Sequence, residues 1–160
     1  MNTLLQELAG GIPDGEHLLR AVIRITVSAV LGAVIGIQRE HTGKPAGLRT
    51  HMLVTMGATL FVLVPVEMGV SIGEVGRVIQ GVATGIGFIG GGAILKLSAE
   101  REVRGLTTAA GIWMTAAAGV AVGLGYIAVA ALGIAAAWFI LAVVGRAERR
   151  VEGKPKSYER

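Results

Sequence analysis

The sequence predicts an all-α fold, a polytopic membrane bundle of about five transmembrane helices. Composition is the first reason. Of the 160 residues 52% are hydrophobic and 16% charged, where an ordinary soluble domain carries about 25% charged residues. Mean hydropathy is +0.65. The second reason is length: the apolar residues fall into blocks close to the roughly 20 residues that one helical crossing needs. The third is the placement of Lys and Arg, which cluster in alternate loops.

The elements follow in order. The start, MNTLLQELAGG, lacks the basic region of a cleavable signal. Leu4, Leu5 and Leu8 recur at helical spacing, so a short interfacial helix or a frayed end precedes the first span. Spans are expected at 18–37, 51–66, 77–95, 106–124 and 126–144. The last two are separated by Gly123-Leu124-Gly125 alone and form a tight hairpin. Residues 1–145 thus make one transmembrane domain. Residues 146–160 are read as a short basic cytoplasmic tail, too small for a second domain.

Twelve of the 15 basic residues fall in the 38–50 loop, the 96–105 loop and the tail. By the positive-inside rule those segments are cytoplasmic and the N-terminus lies outside. Cysteine is absent, which excludes disulfides, thiolate metal sites and a cysteine nucleophile. The pI near 10.0 does not point to nucleic acid, because the basic residues border apolar runs and do not form a patch with interleaved aromatics.

Thr84–Gly92 reads TGIGFIGGG and contains G-x-G-x-x-G. A dinucleotide loop needs a preceding strand and a βαβ setting, and here the motif lies inside an apolar span. Small residues that let helices approach closely are the better account. Gly32/Gly36, Gly81/Gly85, Gly87/Gly91 and Gly119/Gly123 all have that spacing. A helix broken at 90–92, with unwound carbonyls lining a cavity, is the other account.

Arg24 lies one turn deeper than Arg20. Either it snorkels to the headgroups or it faces the bundle and pairs with an acid. Arg20, Arg24 and Ser28 share a face that continues into Gly32 and Gly36, which favours the bundle. Glu67 and Glu74 lie on the same side of the membrane. Arg77, Gln80 and Thr84 share a face of the third span, where Gln80 needs a hydrogen-bond partner. In the 38–51 loop Glu40 is expected to pair with Arg49 or Arg104 and to knit a rigid cap. The middle thirds of the spans hold no Asp, Glu or Asn. A midplane Mg²⁺ site would therefore rest on carbonyls with Thr84, Thr108 and Thr115, which counts against a dedicated permease. No Ser, His and acid converge at one depth, and His17, His41 and His51 are placed outside the membrane core. No catalytic, cofactor or metal residues are therefore assigned.

Three stretches carry a family resemblance: Gly36–Glu40 with GKPAGLRTH at 43–51, GIGFIGGGAILK at 85–96, and VRGLTTAAGIW at 103–113. Their order and spacing resemble the MgtC/SapB family of small bacterial membrane proteins. The chain departs from the family's acid-Pro-x-Arg element, reading Glu74-Val75-Gly76-Arg77, and from its longer members, which carry a C-terminal soluble domain. The resemblance implies a cytoplasmic-membrane protein tied to magnesium limitation and, in pathogens, to virulence. It also implies action on other membrane machines, notably ATP synthase. The acid-x-x-Arg likeness places Glu74 ahead of Glu67 as the partner of Arg24. The expected partners are the lipid bilayer, a larger membrane complex or a second copy in a homodimer, with no nucleic acid and no cofactor. The alternative is an ion or small-solute transporter, magnesium included.

Overall fold

The computed structural model describes residues 15–97 and 102–145. The chain forms a helical bundle: α1 (Gly15–His41), α2 (Leu48–Glu67), α3 (Ile72–Gly92), α4 (Leu106–Gly123) and α5 (Ile127–Phe139). A π-helical turn, Ile140–Val144, extends α5. Between α3 and α4 lies an antiparallel ribbon, β1 (Leu95–Leu97) and β2 (Glu102–Arg104), with Lys96 opposite Val103. The 146–160 tail and the 4–8 helix lie outside the described residues.

Among the described residues four helices are long and apolar enough to cross a membrane: α1, α2, α4, and α5 with its π turn. The fifth, α3, falls short. Eight glycines, Arg77 and Gln80 dilute its hydropathy. The 77–95 span is corrected at both ends: α3 starts at Ile72, and the ribbon takes residues 95–97. Nor is α3 broken at its glycines, since it stays helical through Gly92, where Ala93 caps it.

Helix ends follow local chemistry. Ser71 opens α3, accepting the Glu74 N–H at 3.4 Å and donating its hydroxyl to Glu74 Oε2 at 2.9 Å. Gly69 and Gly125, at φ 71° and 92°, end α2 and α4. In each case the next residue bonds back five positions, Val70 N to Pro65 O and Tyr126 N to Ala121 O.

The centre of the bundle is α2, held between α1 and α4 through backbone contact. A Cβ on Gly32 would lie 2.6 Å from His51 O, and one on Gly36 2.6 Å from Leu48 Cα. On α4, a Cβ on Gly119 would lie 2.9 Å from Ala58 Cβ, and one on Gly123 2.8 Å from Thr59 O. Each of these glycines therefore permits a helix approach that alanine would prevent. One apolar core joins α1, α4 and α5 (Ile35, Val122, Ile134). A second, around Ala58, Ile86 and Ile112, joins α2, α3 and α4.

Candidate functional site

Polar side chains enter the bundle at both ends. At the end where α1 begins, Arg24 faces inward and its side chain is 17% exposed. Its Nη1 donates to Gly123 O at 2.9 Å and lies 3.7 Å from Glu67 Oε1. Glu67 also meets His17 Nδ1. The bundle-facing reading of Arg24 holds, but the choice of acid is corrected: the partner is Glu67, and Glu74 is spent on the α3 cap. The geometry explains the swap. Glu67 ends α2, which packs directly on α1, whereas Glu74 lies beyond the turn on a helix that packs on α4. Gly125 completes the niche, since a Cβ there would sit 3.0 Å from Arg24 Nη2.

At the opposite end, Arg39 is only 3% exposed, and its Nη2 donates to Thr108 Oγ1 at 2.6 Å. His51 is fully buried, with Nδ1 2.8 Å from Thr115 Oγ1. The Thr115 hydroxyl gives its one proton to Gly111 O, so it accepts from His51, and the ring carries its proton on Nδ1. Below His51 on α2, Thr55 donates to His51 O at 2.7 Å and Thr59 to Gly119 O at 2.9 Å. His51, Thr55 and Thr59 form a buried polar spine along α2, in the seam where Gly32 and Gly119 approach.

Sequence reasoning placed Arg39 and His51 in a cytoplasmic loop and His51 outside the core. Both are corrected, because α1 extends to His41 and α2 begins at Leu48. The signal was present in the i, i+4, i+8 spacing of His51, Thr55 and Thr59. Glu40 meets a backbone group in place of Arg49: Oε2 accepts the Leu48 N–H at 2.9 Å at the start of α2. Arg49 is exposed on that helix's first turn, and Arg104 is exposed at the end of the ribbon.

The expectations for α3 need the most correction. Arg77, Gln80 and Thr84 share a face as predicted, but it is the outward face. Thr84 donates to Gln80 O within its own helix at 2.9 Å. Thr84 therefore does not join the buried Thr108 and Thr115. Gly81, Gly85, Gly87 and Gly91 were expected at helix contacts. A Cβ on any of them would meet nothing within 4 Å, so among the described residues only Gly32 and Gly36 of these six are packing glycines. Among the described residues there is no group of three or more His, Cys, Asp or Glu that could hold a metal ion.

Comparison with known proteins places this architecture. Residues 25–150 match the model of the MgtC family. Protein SrpB of Synechococcus elongatus is 40% identical over 162 aligned residues, covering 93% of this chain and 87% of its own. The putative magnesium transporter YhiD of Escherichia coli K12 is 44% identical over 65% of this chain and 51% of its own length. Protein MgtC of Salmonella typhimurium is 40% identical over 65% of this chain and 43% of its own. The chain thus spans about half the length of YhiD and MgtC and most of SrpB. No solved structure matches it. With a family match over most of its length and helices able to cross a membrane, this chain is a membrane protein that belongs to the MgtC family.

Proposed function

We propose that this chain is a non-catalytic protein of the bacterial cytoplasmic membrane that serves adaptation to low magnesium by docking on another membrane protein. In this reading the partner is a larger complex, with ATP synthase the one the family resemblance names, or a second copy of the chain. In a pathogen the same role would bear on virulence. The outward face of α3 carries the reading. Gln80 and Thr84 are exposed there beside Gly81, Gly85, Gly87 and Gly91, none of which meets another helix among the described residues. A side-chain amide facing hydrocarbon is costly without a partner. Helices associate in membranes through small residues that let backbones touch and through polar side chains that bond across. The α3 face offers both.

A transporter is the second reading, favoured by the name of the relative YhiD, a putative magnesium transporter. Against it, the described residues bring no carboxylate cluster together. Two experiments separate the readings. Gly85→Cys in native membranes should form a cross-linked product, either a dimer of the chain or an adduct with a larger protein, while Gly32→Cys should not. Purified chain in liposomes should pass no more Mg²⁺ than empty vesicles. Flux above that background with no cross-link at Gly85 would reverse the assignment.

A further inference from the structure

Two arginines point into the bundle, one near each end, and only one of them has an anion. Arg24 has Glu67. Arg39 is more deeply buried, yet its one acceptor is the neutral Thr108 hydroxyl, and its Nε has no hydrogen-bond partner. The ion pairs His17–Glu67, Arg20–Glu16 and Arg24–Glu67 sit at the Arg24 end. Glu40, adjacent in sequence, is exposed and bonded to the Leu48 N–H. A guanidinium cannot shed its proton in a protein, so burial cannot neutralise Arg39 as it would a lysine. A buried charge is tolerated when it is paired.

The start of α4 lies beside the guanidinium: its N-cap, Gly105, carries no capping side chain, a helix N-terminus presents partial positive charge, and Thr108 lies in its first turn. The start of α2 is already met by the Glu40 carboxylate. The carbonyl end of α1, in whose last turn Arg39 lies, offers the guanidinium only a partial negative charge. The Thr108 hydroxyl accepts from Arg39 and makes no donation of its own among the described residues, so its proton is free to point at a ligand. The other buried side-chain atoms without partners, Gln38 Oε1 and His51 Nε2, belong to residues at this same end. With its proton on Nδ1, His51 presents Nε2 as an acceptor, so it is not one of the ligands.

We propose that Arg39 and Thr108, with the start of α4, bind one small monovalent anion of the size of chloride. The donors are Arg39 Nε–H and the Thr108 O–H. A water molecule would satisfy the Nε–H but leave the charge uncompensated, whereas an anion satisfies both. The site does not depend on the docking role of α3.

The test uses the full chain in detergent at constant ionic strength, with sodium chloride or bromide against sodium gluconate. Chloride and bromide should raise the melting temperature saturably, by about 5 °C at full occupancy. Thr108→Val, which keeps the shape and loses the hydroxyl, should reduce that shift by half or more, and Arg39→Gln should abolish it. If Arg39→Gln does not fold, Thr108→Val decides. In crystals grown with bromide, an anomalous peak within hydrogen-bond reach of Arg39 Nε supports the site. Equal melting of the parent in chloride and gluconate would overturn the proposal. So would an undiminished shift in Thr108→Val, or a peak-free Arg39 in bromide crystals.

Discussion

At the scale of single residues, the two inward arginines show how depth and partner decide what a charge does. Arg20 and Arg24 are one turn apart, yet Arg20 meets Glu16 on the exposed face of its own helix while Arg24 reaches across to α2 and α4. Exposed ion pairs of the first kind contribute about 0–1 kcal/mol. Removing one partner of a buried pair costs about 3–5 kcal/mol, because the other charge is left behind. Arg24→Ala is therefore expected to cut the yield of folded protein sharply, and Arg20→Ala to leave it near the parent's. Glu67→Gln should resemble Arg24→Ala, whereas Glu74→Gln should cost only about 1 kcal/mol through the Ser71 cap. Yield and melting temperature in detergent are the measurements. Equal tolerance of Arg24→Ala and Arg20→Ala would show that Arg24 is not held as described. The inward aim of Arg24 was legible in the sequence, from its shared face with Ser28 and Gly32. The choice of Glu67 over Glu74 was not, because two acids on one side of a membrane differ only in which helix packs against α1.

At the scale of helices, glycine means two different things in this chain, and spacing alone does not separate them. Gly32, Gly36, Gly119 and Gly123 lie where backbones of neighbouring helices meet, while Gly81, Gly85, Gly87 and Gly91 face outward. All eight occur in small-xxx-small pairs. What distinguishes the sets is the rest of each face: the contacts at Gly32, Gly119 and Gly123 run along the buried spine of Thr55 and Thr59 on α2, while α3 places Arg77, Gln80 and Thr84 beside its glycines. Gly119→Val should therefore destabilise the isolated monomer by about 3 kcal/mol or more, since overpacking against backbone leaves little room to relax. Gly85→Val should melt within about 1 kcal/mol of the parent when the chain is monomeric, and should lose stability only where α3 is covered by a partner. Thermal melts of both variants, at detergent concentrations that hold the chain monomeric and then in native membranes, distinguish these outcomes. A large loss for Gly85→Val in the monomer would mean that α3 packs inward after all. The helices themselves were readable from apolar length. The 95–104 ribbon was not, because three-residue strands leave no periodicity to read.

For the molecule as a whole, the distribution of charge sets a direction across the membrane that can be tested without any structure of the complex. Residues 38–50, 96–105 and 146–160 hold 12 of the 15 basic residues. The first two segments flank the starts of α2 and α4, where Arg39 and His51 are buried. The Arg24–Glu67–His17 cluster lies at the other end. If the basic side is cytoplasmic, a cysteine at Ser157 should be shielded from an impermeant thiol reagent in intact cells and labelled after permeabilisation. A cysteine at Met68, which is 75% exposed in the turn between α2 and α3, should label in both conditions. Low as its hydropathy is, α3 runs from the Met68 end to the ribbon and the start of α4 at the Arg39 end, so the ribbon and the α1–α2 turn share one side and cysteines at Lys44 and Arg104 should both be shielded. Labelling of Arg104→Cys in intact cells, with Lys44→Cys shielded, would show that α3 does not cross. Labelling at Ser157 without permeabilisation would invert the orientation. It would then place the buried Arg39 end, and the anion site proposed there, on the outer side of the membrane.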